Sequence, residues 1–181
     1  TDESYLINTK CLDSSLKAGD ERLTAMSRKH LASNYRRYGD AEKAINELET
    51  ALPFFEKQKD KNNMLEILCE LGTNHHYKGD YRKAMEYYSR YKELALETEN
   101  KKEYSNALGN IGNTYWSTGD YKRALDYYQR QKEIASEIGD KFSYSYAVGN
   151  LGSILYYTGE YDKAYEHFIQ KKLICEELGD K

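Results

Sequence analysis

At 181 residues the chain is long enough for one sizeable domain, and a repeat array would spend that length on a one-dimensional stack. A single proline and 31% charged residues favour helix throughout, while a net charge of -3 and a pI near 5.9 exclude the basic face of a nucleic-acid binder or of a helical RNA-reading array. No apolar run approaches a membrane span, nothing resembles a signal peptide, and Cys11, Cys69 and Cys175 form no CxxC pair, which favours reduced thiols, no metal and a cytoplasmic setting.

Residues 1–20 read as a leading helix, capped by Thr1 or Ser4 and running to Leu16 or Ala18. It is either the second half of a preceding repeat or an unrelated helix. From there the chain is periodic. Gly39-Asp40, Gly79-Asp80, Gly119-Asp120 and Gly159-Glu160 are spaced forty residues apart without an insertion. Leu31, Leu71, Ile111 and Leu151 precede the step at fixed distance; Ala44, Ala84, Ala124 and Ala164 follow it. Gly19-Asp20, Gly139-Asp140 and Gly179-Asp180 mark a second step halfway between, with Lys59-Asp60 and Glu99-Asn100 as weaker versions.

Glycine reaches the left-handed conformation that ends a helix, and the adjacent Asp or Asn accepts hydrogen bonds from the free amides of the next. Each pair is therefore a stop and a start. About eighteen residues between pairs make a helix of roughly 27 Å, so each repeat holds two antiparallel helices. The expected hairpins are 21–38 with 41–58, 61–78 with 81–98, 101–118 with 121–138, and 141–158 with 161–178. The repeats are 21–60, 61–100, 101–140 and 141–180. Pro53 falls inside a second helix and should bend it. On second helices Lys83 with Glu86, Arg123 with Asp126 and Lys163 with Glu166 are placed to pair weakly on a solvated face.

The stretch LGNIGNTYWSTGDYKRALDYY at 108–128 resembles a tetratricopeptide repeat through Leu108, Ile111, Gly112, Tyr115, Ala124 and Tyr128. Residues 141–180 match through Val148, Leu151, Gly152, Ala164 and Phe168, with Leu155 for the Tyr. Residues 61–100 match through Leu68, Leu71, Gly72, Ala84 and Tyr88, with His75 for the Tyr. Residues 21–60 diverge most, with Arg28 and Ala32 replacing the apolar residue and the Gly. The long repeat and the GN-x-x-GN wording are most similar to Pins-type polarity adaptors and bacterial signalling arrays. The resemblance implies an all-α fold, a right-handed α-solenoid of antiparallel helix hairpins, in which first helices line a concave groove.

No phosphate loop, paired-histidine metal motif or serine nucleophile elbow is present, which points away from an enzyme. His75 and His76 are adjacent and face different sides of a helix. No cofactor is expected. Gly72, Gly112 and Gly152 match the family glycine where the helices of a hairpin pack closely. Gly109 and Gly149 do not, and each costs about 1 kcal/mol in a helix interior. In the family's geometry their column faces the groove, where a missing side chain either admits a ligand backbone or lets first helices close up.

Asn110, Asn113 and Asn150 lie near the same inner face. Asn is a poor helix former, and an amide offers both a donor and an acceptor to an extended peptide. In the family, Asn at the columns of Asn113 and Asn150 holds partner peptides. A carboxylate clamp is not expected, since Gly109 stands where its Lys would be. The competing reading is that these amides bond between adjacent repeats. Further groove columns carry Asn106 and Tyr146, Thr73 and Ser153, and Arg36, His76, Trp116 and Tyr156. The groove is expected to be basic near Lys29, Arg36 and Arg37, and aromatic near Trp116 and Tyr156.

The function expected is protein interaction, with a peptide segment or partner domain held in the groove and no nucleic-acid or membrane partner. The alternatives are a regulatory region of a larger signalling enzyme, with catalysis outside this chain, and an architectural spacer. Tyr165, Phe168, Ile169, Leu173, Ile174 and Leu178 on the last helix leave apolar surface uncovered, so the chain reads as a piece of a longer array whose copies associate through terminal faces.

Overall fold

The computed structural model describes residues 3–179, and among them there are nine helices and no strand: α1 (Glu3–Ala18), α2 (Glu21–Arg37), α3 (Ala41–Gln58), α4 (Lys61–Tyr77), α5 (Tyr81–Glu97), α6 (Lys101–Ser117), α7 (Tyr121–Glu137), α8 (Lys141–Tyr157) and α9 (Tyr161–Leu178). The fold is the all-α helical repeat that the spacing predicts. Thr1, a candidate cap, and Asp180 of the last Gly-Asp step lie outside the described residues, as does Lys181. Ser4 does not cap α1; it sits inside the helix and its hydroxyl donates to Asn34 Oδ1 at 3.1 Å.

The Gly-Asp steps from Gly19-Asp20 to Gly139-Asp140 each end one helix and cap the next. At Gly39-Asp40 the Gly39 N–H donates to the Arg36 carbonyl at 3.0 Å and the Asp40 N–H to the Tyr35 carbonyl at 2.9 Å. That pair of bonds closes a Schellman motif, with Gly39 at φ 78°. The Asp40 carboxylate then accepts from the Lys43 N–H at 3.1 Å and opens α3. The weak steps use the same geometry without glycine: Lys59 and Glu99 are held at φ 54° and 53°. Helix α3 continues through Pro53 to Gln58.

The acidic residues at the helix starts also take the cations expected to pair further along, although only Asp120 caps with its side chain and Glu160 does not. Arg123 reaches back to Asp120 at 3.3 Å and Lys163 to Glu160 at 2.6 Å, rather than forward to Asp126 and Glu166. The Asp120 carboxylate is already fixed by the Arg123 N–H, so pairing with it immobilises one side chain instead of two. On α5 Glu86 pairs with Arg82 at 2.8 Å.

The chain divides into two compact units, residues 1–94 and 95–181. In the first, α1 packs on α2, α2 on α3 and α3 on α4. Its core holds Leu48, Phe55, Leu68, Leu71, Tyr88 and Tyr91. In the second, α6 packs on α7, α7 on α8 and α8 on α9, around Leu108, Ile111, Tyr128, Val148 and Ile154. The periodic Ala44, Ala84, Ala124 and Ala164 are all buried, and a larger residue there would push the helices apart.

The family glycines do what their position predicts. A methyl on Gly72 would strike the Tyr88 ring, one on Gly112 would lie 2.7 Å from Tyr128 Cε1, and one on Gly152 would lie 3.0 Å from His167 Cβ and Phe168 Cε1. Gly109 and Gly149 do not face the groove as expected. Both are buried and face the second helix of their own hairpin: a methyl on Gly109 would meet the Gln131 amide at 2.5 Å, and one on Gly149 the Lys171 Cδ at 2.7 Å. Long polar side chains already fill that space, so no ligand backbone enters there.

The divergent first hairpin replaces apolar packing with charge. Arg28, in the column of Leu68, Leu108 and Val148, pairs with Glu47 at 2.6 Å, in the column of Tyr87, Tyr127 and His167. On α9, Tyr165, Phe168, Ile169, Leu173 and Leu178 are exposed, although Phe168 also closes on Gly152. No helix of the described residues is long and apolar enough to cross a membrane.

Candidate functional site

In the second unit the predicted groove residues form two matching stripes. Asn106, Asn110 and Asn113 recur on α6 at intervals of four and three, which keeps them on one face. Tyr146, Asn150 and Ser153 occupy the same positions forty residues later on α8. Tyr146 is exposed, with Phe142 beside it at 5.7 Å and the Lys171 ammonium 5.9 Å above its ring. The other five are half-buried.

The stripes touch through their polar ends. The Ser143 hydroxyl donates to Asn106 Oδ1 at 3.5 Å, and Asn150 Nδ2 donates to Asn113 Oδ1 at 3.4 Å. Asn113 Oδ1 also accepts the Tyr128 hydroxyl at 2.7 Å, which ties it to α7. One oxygen thus bonds within its own hairpin and to the next. The Ser153 hydroxyl donates to the Gly149 carbonyl at 3.0 Å. What remains is the amide hydrogens of Asn113 and the carbonyl of Asn150, which have no protein partner among the described residues.

At the end of these helices the aromatic residues close on one another. Trp116 lies 5.1 Å from Tyr121 and 5.0 Å from Tyr157, and is partly buried against Ala124, Tyr128, Leu151 and Ile154. Tyr156 is exposed and meets Tyr157 at 6.1 Å and Tyr161 at 5.4 Å.

The first unit carries different chemistry on the same columns. Lys29 was expected to make the face basic; instead it is buried, and its ammonium is held by Glu66 at 2.5 Å and Asn63 at 2.6 Å on α4. Ser33 donates to Glu70 at 3.2 Å, and burial pushes the Glu70 carboxyl above its ordinary range despite Arg36 nearby. These groups link α2 to α4. Thr73 is engaged as well, donating to the Cys69 carbonyl at 2.8 Å and accepting the Tyr88 hydroxyl at 3.2 Å. His76 packs its ring on Tyr81 at 5.2 Å, and burial lowers its pKa. Arg36 and Arg37 are exposed.

Sequence reasoning missed four residues beside those arginines. Asn34, Ala41, Asn74 and Tyr77 line, with Arg36 and Arg37, a pocket of about 750 Å³. The signal was present: Ala41 interrupts a column otherwise occupied by Tyr81, Tyr121 and Tyr161.

Comparison with known proteins fits this architecture. A family model described as tetratricopeptide repeat matches residues 21–97, 63–137 and 103–170. No curated protein matches the sequence. The solved structure of aspartyl phosphate phosphatase F from Bacillus subtilis is similar with a TM-score of 0.88 at 18% identity, over 96% of this chain and 45% of that one. BtubC (BKLC) from P. vanneervenii gives 0.78 at 22%, over 90% and 67%. A Rap protein complexed with competence and sporulation factor gives 0.76 at 21%, over 98% and 55%. At these identities the likeness shows the fold, and this chain spans about half the length of the phosphatase and of the Rap protein.

Proposed function

The chain belongs to the tetratricopeptide repeat family, and on that premise we propose that it is a protein-interaction module that holds an extended segment of a partner across the α6 and α8 stripes. The observation that carries this reading is the neighbouring pair of unmet groups, the Asn113 amide hydrogens and the Asn150 carbonyl. Together they complement the C=O and N–H of a peptide backbone, which needs an acceptor and a donor a few ångströms apart. Tyr146 and Tyr156 supply exposed rings beside them for side-chain contact. In the first unit Arg36, His76 and Thr73 stand on the equivalent columns, while Lys29 gives its charge to Glu66 and offers none to a partner.

The test is selection of binding peptides from a random displayed library. Selected peptides should lose affinity at least tenfold with Asn150→Ala combined with Tyr146→Ala, while the melting temperature stays within a few degrees. Unchanged affinity for every selected peptide removes the stripes from the function.

The fold shared with aspartyl phosphate phosphatase F, of which this chain spans 45%, favours a second reading: a regulatory array within a longer signalling chain, with chemistry elsewhere. The exposed apolar side chains of α9 support association between copies, which light scattering across a concentration series, with Leu173→Glu as control, would detect.

A further inference from the structure

At one edge of the hairpins a ring-on-ring contact recurs with the repeat. His76 meets Tyr81 at 5.2 Å, Trp116 meets Tyr121 at 5.1 Å and Tyr156 meets Tyr161 at 5.4 Å. In each pair a residue near the end of the first helix packs on the first residue of the second. In the hairpin α2–α3 the same positions hold Arg36 and Ala41, and no ring is present. The pocket of about 750 Å³ lies at that position, lined by both residues.

The third and fourth repeats show what normally fills such a space. There Tyr121 packs against Trp116 and Tyr157, with ring centroids 5.1 Å and 6.5 Å away in a three-ring cluster in which Trp116 and Tyr157 also touch at 5.0 Å, over the core that contains Ile154. One period multiple earlier, Trp116 becomes Arg36, Tyr157 becomes Tyr77, Ile154 becomes Asn74 and Tyr121 becomes Ala41. The neighbouring side chains persist in altered form and the ring itself is missing. Tyr77 stands 76% exposed, a ring face without an aromatic partner in the pocket, and the charge of Arg36, also exposed, is offset in part by Glu70 nearby.

Two buried amides add polarity. Asn34 Oδ1 accepts from Ser4 and from Arg37, each at 3.1 Å, which orients the amide and leaves Nδ2 unbonded. Asn74 Nδ2 donates to the Glu70 carbonyl at 2.8 Å and leaves Oδ1 unbonded. Both residues line the pocket, one lacking an acceptor and the other a donor. In the second unit the same column carries Thr114 and Ile154, whose needs are met or absent.

We propose that this pocket receives an aromatic side chain from a partner protein segment, packed against Arg36 and Tyr77 in the place that Tyr121 fills from within the chain. The inference rests on the reading that the chain binds a protein segment, and it names one feature of that segment. Contact of the incoming ring with the guanidinium and with the phenol is favourable, and it covers apolar area that Ala41 leaves open. A tyrosine suits the site better than phenylalanine, because its hydroxyl both donates and accepts where Asn74 and Asn34 each lack one partner.

The experiment is a titration of isotope-labelled whole chain with N-acetyl-L-tyrosinamide, with N-acetyl-L-phenylalaninamide, N-acetyl-L-leucinamide and N-acetyl-L-alaninamide alongside, read at the Asn34 and Asn74 side-chain amides and the Arg36 side chain. Saturable shifts with the tyrosine amide, weaker with phenylalanine and absent with alanine, are expected. Ala41→Tyr should abolish them and raise the melting temperature, because the pocket is then filled from within. Tyr77→Ala, at an exposed position, should weaken the effect about threefold or more even where Ala41→Tyr does not fold. Equal response to leucine amide, no saturable response, binding undisturbed by both substitutions, or shifts that disappear on dilution of the protein alone would each overturn the proposal. Because the probe is a single residue, its failure leaves the α6 and α8 stripes to be judged by their own selected peptides.

Discussion

The His75 ring stacks on Tyr87 with centroids 5.5 Å apart and planes 16° apart, and forty residues on Tyr115 stacks on Tyr127 at 5.5 Å and 27°. A histidine therefore takes the tyrosine's structural place, and it brings a proton site with it. His75 is 5% exposed, and neither ring nitrogen has a hydrogen-bond partner. Burial lowers its pKa from 6.5; Lys83 and Lys78 lower it further, against Asp80 and Glu49. The unfolded chain then binds more protons than the folded one, so stability rises with pH. The contribution is complete above 6.5, falls as pH drops through 6.5, and levels off below the folded value. Urea midpoints at pH 7.5 and 5.5 should differ in the native chain and differ less in His75→Tyr, with the remainder owed in part to His76, whose pKa is also lowered by burial. An unchanged difference would show that other groups carry the acid sensitivity.

Gly112 and Gly109 predict opposite outcomes for one substitution. Gly112→Ala drives a methyl to 2.7 Å from a ring carbon of fully packed Tyr128 and should cost about 1–3 kcal/mol. Gly109→Ala meets only the movable amide end of Gln131 and gains up to about 1 kcal/mol of helix preference, so it should be near neutral. Thermal melts of the two variants side by side read the difference directly.

Asn113 and Asn150 should also separate. Asn113→Ala leaves the Tyr128 hydroxyl without its 2.7 Å acceptor and should destabilise by about 1–3 kcal/mol. Asn150→Ala loses only a 3.4 Å contact at a half-buried site and should move stability by a few tenths of a kcal/mol. Chemical denaturation of both variants decides which amide is free for a partner.

The Arg28–Glu47 pair, with side chains 21% and 14% exposed, sits where later repeats pack apolar and aromatic groups. Glu47→Ala strands the Arg28 charge and should destabilise by several kcal/mol at most, about 3 when fully desolvated. Arg28→Leu with Glu47→Tyr restores the later repeats' pairing and should equal or exceed native stability. A double variant as weak as Glu47→Ala would show that the pair itself is needed.

Much of the fold was legible because its determinants are local. A Gly-Asp step ends and caps helices through bonds within a few residues, and a constant forty-residue spacing fixes the hairpin register, so helix bounds could be read to within a residue or two. The large-to-small columns at Gly72, Gly112 and Ala84 likewise follow from repetition alone. What the sequence left open was the direction and satisfaction of side chains between helices. It could not say that Gly109 faces Gln131, that Lys29 is consumed by Glu66, or that one Asn113 oxygen serves both Tyr128 and Asn150. Those outcomes depend on distances of a few ångströms between residues up to forty positions apart, set by how helices pack. Periodicity names the column a residue occupies; only the packed structure decides whether that column is filled, paired or left open.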